Sequence, residues 1–574
     1  MNTTSTPKKR ISCKRCQFRK LRCSRTEPCE NCTVANHICE YRELDRKRRP
    51  ASAEYVAGLE NRIAWLESYI RRVQAVPPQE RDVILKQTHF GDHHLTSTSQ
   101  TPPGEPSAGA AGPVRRRQAN LEPGPQGSLI YHGPTSIYHA QLGALTGNGT
   151  GGCIMGQPAH PSSFSANDDS NFDHVAEHFG INMHNELITD ALMQFFKWQY
   201  PHFMFIYREA FLRDHFGDRR NCKYWSSALL LSVCALGLLM SPEDLDRQSS
   251  EQFFVAAETI LIVSGLTRPS IATVQAFLCL AFYEIGRGNL SKGWGFSGIA
   301  FRMAQDLGFQ RDPKYWASHD TSLATAEDVE IRRRIYWGCY TSDKLISLIL
   351  GRPVYFFYAD AEVEVLERLP DFPEMENWLP VGFDKREGDF GEAKPLIPCF
   401  QAQIRISSII ERMLATVFSS RSTLDVLGQQ ACLDSLNLDL SRLQSSLPHC
   451  AQWCKWEPPS SRLIPCVAAL HLLFHSARIA LNFDSATSDD ATADQKSARE
   501  YCLSSARDVT AILRKYRSQY GLRYAPFVLI YGLVQAARCL AVFGALEESS
   551  YLARALDECS MTWKLGQQMR GPVL

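Results

Sequence analysis

Six cysteines within the first fifty residues have the spacing of metal ligands. The unit Cys-x2-Cys-x6-Cys occurs twice, joined by a five-residue loop, and comprises Cys13, Cys16, Cys23, Cys29, Cys32 and Cys39. Six thiolates can complete the tetrahedra of two zinc ions only if two sulfur atoms bridge both ions. Every coordination position is then filled, so the pattern predicts a structural site for two Zn²⁺ per chain. The metal would supply the folding energy of a segment too small for an apolar core.

Basic residues between these cysteines indicate a polyanionic partner. Arg19, Lys20 and Arg22 follow Cys16 on a turn that the metal would hold in place, and they suit phosphates and the acceptor edge of guanine. Lys14 and Arg15, between the first two cysteines, complete the set of predicted DNA-binding residues. The alternatives are a redox or metal-storage cluster, or a basic surface without a partner. Metal storage would not require the basic turn, so double-stranded DNA is the predicted partner.

Residues 13–39 resemble the fungal binuclear zinc-cluster family in every cysteine spacing and in the basic run around Lys20. The resemblance implies that Cys13 and Cys29 are the bridging thiolates. It implies that the other four cysteines complete the two ions in pairs: Cys16 with Cys23, and Cys32 with Cys39. It also implies that Lys20, with Arg19 beside it, reads a CGG-type triplet in the major groove while Arg22 lies near phosphate.

The charge of the chain is concentrated at its N-terminus. Residues 1–50 hold fourteen Lys or Arg against five Asp or Glu, a net charge of +9, although the whole chain of 574 residues carries only +1. We therefore predict a basic DNA-binding arm and zinc cluster over residues 1–50. The basic runs around Lys9 and Arg48 could also serve as a nuclear import signal. We expect no secretory signal, no membrane span and a nuclear location.

Residues 51–76 have the heptad pattern of a short coiled coil. The branched residues of position a and the mostly Leu residues of position d favour a parallel two-stranded coil. These predicted dimerisation residues are Val56, Leu59, Ile63, Leu66, Ile70 and Val73. The alternative is an amphipathic helix packed on the rest of the chain, and Gly58 weakens the helix in either case.

The rest of the chain divides into a linker and a large helical domain. Residues 77–175, rich in Pro, Gly, Ser, Thr and Gln, predict a mostly disordered linker. Residues 176–574 have apolar residues at helical spacing and predict an all-α domain, so the fold class is mostly α. We expect one helix to end near Gly308, and another to begin after Thr325 and end near Gly351. The run 332–334, three arginines, could bind nucleic acid, but capping or ion pairing of packed helices is the favoured interpretation.

Two segments of this domain carry a second resemblance. Residues 299–308 and the run from Arg332 through Asp343 and Lys344 to Pro353 resemble the fungal-specific transcription factor domain, especially in nitrate-assimilation-type regulators. The resemblance covers about residues 180–480 and implies a regulatory domain that works with the transcription machinery. The two resemblances together imply a homodimeric RNA polymerase II transcription regulator, expected to be an activator, of a metabolic or biosynthetic pathway. No sequence motif of an enzyme is recognised. The alternative is a zinc-cluster corepressor or scaffold that does not itself select DNA.

Overall fold

The computed structural model describes the cysteine segment and most of the C-terminal two thirds of the chain. The described ranges are 13–39 except 14, 17, 18, 20, 25 and 27; 120–123; 129–132; 170–312 except 218, 220 and 221; 325–365; 396–419; 426–488 except 457, 459 and 460; and 493–569. The chain divides into two compact units, residues 1–114 and 115–574. The predicted coiled coil at 51–76, the arm beyond Cys39 and most of the predicted linker lie outside the described residues.

The described part of the second unit is largely helical, and the first unit has one short described helix. In the first unit, α1 spans Glu30–Val34. In the second unit the helices of the N-terminal half are α2 Ser170–His178, α3 Glu186–Gln194, α4 Arg208–Phe216, α5 Ser227–Leu238, α6 Asp244–Ile260, α7 Ile271–Gly286 and α8 Leu290–Asp306. The later helices are α9 Ala326–Leu350, α10 Leu396–Thr416, α11 Val426–Ser445, α12 Pro465–Ala486, α13 Ala493–Tyr520, α14 Phe527–Val542, α15 Leu546–Cys559 and α16 Leu565–Met569. The predicted fold class, mostly α, is confirmed.

Short irregular helical segments join several of these helices. A π-helical turn, Phe195–Gln199, follows α3, and a second one, Leu261–Gly265, follows α6. Single 3-10 turns occupy Tyr358–Asp360, His449–Ala451 and Leu522–Tyr524. Some of these turns contain core residues, such as Phe195 and Leu522, whereas Tyr358–Asp360 contains none.

The core of the second unit is built around helices that are apolar on nearly every side. Every residue of α5 is buried, as is every residue of α7 after the first. Ser226 and Ser270 precede these two helices, and each side chain accepts a backbone N–H of the first turn, which fixes where the helix begins. Helix α12 packs against α10, α13 and α14. It is long and apolar enough to cross a membrane, but 89% of its most apolar window is buried in this core.

The helices predicted from local stop and start signals are confirmed. Helix α8 is followed by Gly308 with a positive φ of 68°. Helix α9 begins with a capping box, in which the Thr325 hydroxyl accepts the Asp328 N–H and the Asp328 carboxylate accepts the Thr325 N–H. It ends at Gly351, whose left-handed backbone (φ 61°) suits glycine.

The three arginines at positions 332–334 of α9 contact groups of the packed helical unit. This confirms the interpretation favoured from the sequence, that they cap or pair with neighbouring helices. Arg332 donates to the Leu307 carbonyl at the C-terminal end of α8. Arg333 pairs with Asp312 at 3.3 Å and with Glu330 at 2.6 Å. Arg334 is fully buried and donates to the Tyr200 hydroxyl. All three side chains are therefore engaged within the helical unit.

Two features differ from the predicted boundaries. Helix α2 begins at Ser170, six residues before the predicted start of the helical domain. Two short strands, β1 Asn120–Pro123 and β2 Leu129–His132, pair antiparallel within the predicted linker, with Asn120 opposite His132. Strands of four residues give too short an alternation to be distinguished from a linker by sequence pattern.

Candidate zinc centre and nucleic-acid interface

Four cysteine thiols converge in the first unit. Cys13, Cys16, Cys29 and Cys32 are fully buried, and their sulfur atoms all lie within 4.8 Å of one another. The Sγ of Cys13 lies 3.6 Å from those of Cys29 and Cys32, and the Sγ of Cys16 lies 3.6 Å from that of Cys29. Zinc–sulfur bonds of about 2.3 Å in a tetrahedron place the sulfurs about 3.8 Å apart. The donor set therefore fits zinc in both chemistry and spacing.

Cys13 and Cys29 occupy the middle of this cluster, since each has close sulfur contacts with two other cysteines. Cys23 and Cys39 are only partly buried and pack against the four central thiols. The backbone N–H of Cys29 donates to the Cys39 Sγ at 3.3 Å, which draws the last cysteine toward the centre. All six cysteines of the pattern thus meet in one place. The sulfur atoms of Cys13 and Cys29 lie at its middle, where bridging ligands would lie.

The two copies of the cysteine unit share one backbone pattern. In the first copy the N–H of Leu21 donates to the Cys16 carbonyl at 2.9 Å, and in the second the N–H of His37 donates to the Cys32 carbonyl at 3.0 Å. Both bonds join the second cysteine of a copy to the residue five positions later. The repeat seen in the sequence is therefore a structural repeat, with one short helical turn per copy.

Burial and hydrogen bonding between the thiols shift the pKa values of the cysteines in different directions. Burial, with the neighbouring Cys13 thiol, raises the pKa of Cys16 to about 11. Burial also acts to raise the pKa of Cys13, but hydrogen bonds from the Cys16 backbone and from neighbouring thiols lower that pKa to about 6. The neighbouring thiols therefore favour ionisation of Cys13, and a bound cation would stabilise the charge of all the thiolates.

Two arginines of the predicted DNA-binding run lie on the surface of the cysteine module. Arg19 and Arg22 are exposed beside Leu21, so their guanidinium groups are available to a ligand. Lys14 and Lys20 lie outside the described residues. The second copy carries no basic residue at the positions that match Arg19, Lys20 and Arg22, which are Ala35, Asn36 and Ile38. The predicted DNA-binding face therefore belongs to the first copy alone.

Arg15 and Asn31 form a link between the two copies that sequence reasoning missed. The half-buried Arg15 donates from Nη1 to the Asn31 carbonyl at 2.8 Å. The Asn31 amide donates in turn to the Arg22 carbonyl at 2.8 Å. Arg15, predicted as a DNA-binding residue, has a partner within the protein. No local pattern indicates this contact, because its partner lies 16 residues away.

A buried cysteine centre with a basic face on one copy, in a chain with a large helical unit, defines the class of zinc-cluster transcription regulators. Residues 11–48 match the fungal Zn(2)-Cys(6) binuclear cluster domain, and residues 192–452 match the fungal specific transcription factor domain. The chain belongs to the fungal Zn(2)-Cys(6) transcription factor family, and its cluster domain binds two zinc ions.

Relatives extend the likeness along the whole chain. An uncharacterized transcriptional regulatory protein of Schizosaccharomyces pombe is 31% identical over 98% of this chain and 90% of its own length. The TY1 enhancer activator of Saccharomyces cerevisiae is 27% identical over 78% of this chain and 69% of its own length. The nitrogen assimilation transcription factor nit-4 of Neurospora crassa is 25% identical over 68% of this chain and 36% of its own length. These matches confirm the predicted resemblance to nitrate-assimilation-type regulators, and the chain resembles other fungal transcriptional regulators as well.

Proposed function

We propose that this protein is a nuclear, homodimeric activator of RNA polymerase II transcription that selects CGG-containing promoter sites and controls a metabolic or biosynthetic pathway. Its role is regulation rather than catalysis. The observation that carries the proposal is the exposed pair Arg19 and Arg22 on a turn pinned by the cysteine centre. The relatives that are named as activators support the direction of the effect.

The basic turn of the first copy would enter the major groove. Lys20 and Arg19 would donate to the O6 and N7 atoms of guanine, which accept such bonds more readily than any other base edge. Arg22 and Lys14 would pair with phosphates and set the orientation of the module. Because the equivalent turn of the second copy is uncharged, only one triplet is read per chain. A second chain is then needed to specify a promoter site.

The heptad residues between Val56 and Val73 would bring two chains together as a parallel coiled coil. The six ligands of each zinc pair would be Cys13, Cys16, Cys23, Cys29, Cys32 and Cys39. The segment between Cys39 and Val56 would set the spacing of the two half-sites. Its charge, including Arg46 to Arg49, would follow the phosphate backbone.

Binding of full-length, zinc-loaded protein to duplexes with paired CGG triplets tests this proposal. We expect Lys20→Ala to weaken binding to CGG sites by about 1–3 kcal/mol and to relax selectivity within the triplet. Lys223→Ala, an exposed lysine of the helical unit, is the matched control and should bind as the unsubstituted protein does. Unchanged selectivity in Lys20→Ala would refute the assignment of the base-reading residue. Absence of any selective binding would favour the corepressor or scaffold function.

The proposed dimer is tested separately by measuring the mass of the protein in solution. Replacing Leu59, Ile63 and Leu66 by Ser should give a monomer in analytical ultracentrifugation, because three core positions of the coil become polar. A dimer that survives these substitutions would show that the chains associate elsewhere.

A further inference from the structure

The helical unit contains a cavity that no part of the proposed function uses. It lies where the chain after the π-helical turn meets α7, α9, α10, α12 and α14. Its volume is about 40 Å³. A single buried water needs roughly 10–15 Å³, so the cavity has room for more than one. Residues from positions 202 to 528 contribute to its wall, so it forms only when the unit is fully folded.

One wall of the cavity is polar and its hydrogen-bonding groups lack partners. Both ring nitrogens of His202 are shielded from solvent and have no hydrogen-bond partner. The side chains of Gln403 and Ser342 are 8% and 5% exposed, and neither makes a side-chain hydrogen bond within the described part of the chain. A buried polar group left unpaired costs on the order of 1–3 kcal/mol. The two unpaired ring nitrogens of His202, beside the polar side chains of Gln403 and Ser342, indicate that the space is normally filled by a molecule that can bond to them.

The opposite wall is aromatic. The rings of Phe203 and Phe282 are stacked with centroids 4.2 Å apart, and the Phe527 ring meets Phe282 edge-on at 5.8 Å. A buried water needs two to four polar partners, which this side does not offer. An occupant that fills the cavity therefore has both a polar end and an apolar body.

The occupant must also be uncharged. The described residues that line the cavity include no Lys, Arg, Asp or Glu. Burial lowers the pKa of His202 to about 3, so its imidazole is neutral at physiological pH and offers one donor and one acceptor. An ionised ligand would bury its charge without a counter-charge, which is strongly unfavourable.

We propose that this cavity is a binding site for a small, uncharged carboxamide with a short apolar body. The amide group would pair with the donor and acceptor atoms of Gln403 and His202, and its hydrocarbon end would lie against Phe203 and Phe282. Both groups offer the donor–acceptor combination that an amide matches and that a carboxylate does not. The site belongs to the unit spanning residues 115–574, so it is independent of zinc and of DNA binding.

Ligand-observed NMR on the full-length, zinc-loaded protein tests the site with defined probes. Acetamide and propionamide are compared with acetate and propionate, which have nearly the same shape but carry a charge. We expect saturable binding of both amides and at least tenfold weaker binding of both carboxylates. Equal binding of amides and carboxylates, or binding of neither, would overturn the proposal and leave a cavity that holds ordered water only.

Substitutions locate the binding within the protein. His202→Phe and Gln403→Leu should each weaken propionamide binding at least tenfold. The matched controls are His475→Phe, a buried histidine of α12 outside the cavity, and Gln430→Leu of α11, and both should bind as the unsubstituted protein does. If circular dichroism shows that His202→Phe does not fold, Ser342→Ala takes its place. Unchanged binding in folded cavity variants would place the probe elsewhere and refute the site.

DNA binding of the same variants separates this inference from the proposed function. Cavity variants should keep selective binding to CGG duplexes, and Lys20→Ala should keep propionamide binding.

Discussion

Arg15 and Arg22 belong to the same basic run, but Arg15 binds a group within the protein whereas the side chain of Arg22 faces solvent. Arg15 is half-buried and joins the two cysteine copies through the Asn31 carbonyl, whereas the Arg22 side chain is exposed. The Asn31 amide reaches Arg22 only through its backbone carbonyl, which any residue at that position would supply. The two arginines therefore have separable roles, one in holding the zinc module together and one on its surface.

Arg15→Leu should loosen the zinc module, because a charge-assisted hydrogen bond between the two copies is lost. Such a bond contributes about 1.5–3 kcal/mol, so zinc transfer to a chelator should become at least tenfold faster. Arg22→Ala should leave zinc transfer unchanged while reducing the salt dependence of DNA binding by about one unit of slope. The same effect of both substitutions on zinc transfer would show that Arg15 does not act as a brace.

At this scale the cysteine ligands could be predicted from the sequence, because their spacing is local and the number of thiolates fixes the chemistry. The role of Arg15 could not, because charge alone does not distinguish a surface contact from an internal one. The same holds for His202, whose surroundings include residues more than three hundred positions away.

Among the helices, α9 and α10 are joined by a buried ionic cluster. Lys344 is fully buried, lies 2.8 Å from the Asp343 carboxylate and 3.7 Å from the Glu411 carboxylate, and donates to the Phe356 carbonyl. Asp343 also accepts the backbone N–H groups of Tyr355 and Phe356. The cluster ties the chain that follows Gly351 back onto both helices, which explains why α9 carries adjacent Asp and Lys.

Lys344→Met should destabilise the helical unit strongly, because it leaves the buried Asp343 carboxylate and the partly buried Glu411 carboxylate without their cation. Breaking one partner of a buried pair costs about 3–5 kcal/mol, which urea unfolding followed by circular dichroism measures directly. Arg412→Met is the matched control, since it removes an ion pair with Asp439 in which the arginine side chain is 50% exposed. That variant should lose at most about 1 kcal/mol. Equal losses in the two variants would show that burial does not set the strength of the cluster.

The sequence predicts where helices begin and end better than it predicts which groups of other helices they contact. The limits of α9 follow from Thr325, Asp328 and Gly351, whose effects act within one turn. The identity of the groups that Arg332 and Arg333 reach depends on packing against α8 and the chain beyond it, which no local pattern encodes. The pair of short strands was not predicted for a related reason, since their stability comes from pairing rather than from a long alternating pattern.

Over the whole molecule, metal dependence is confined to one unit. Among the described residues, the thiols near the N-terminus form the one group able to hold a metal ion. Cys234 and Cys279 of the helical unit are each fully buried, and burial alone raises the pKa of both thiols well above the ordinary value. The helical unit owes its stability to apolar burial instead, which a chain of this length can provide.

Removal of zinc should therefore separate the two units functionally. At neutral pH a strong chelator should abolish binding to CGG duplexes, because the cysteine segment is too small to fold without metal. The helical signal in circular dichroism and the urea midpoint of the helical unit should stay the same, since its core contains no metal ligand set among the described residues. Cys29→Ser should reproduce the effect of chelation without any chelator, whereas Cys279→Ser, which changes a buried cysteine of α7, should keep DNA binding. A loss of helical signal in parallel with zinc would contradict this division and would mean that the helical unit depends on the cluster for its fold.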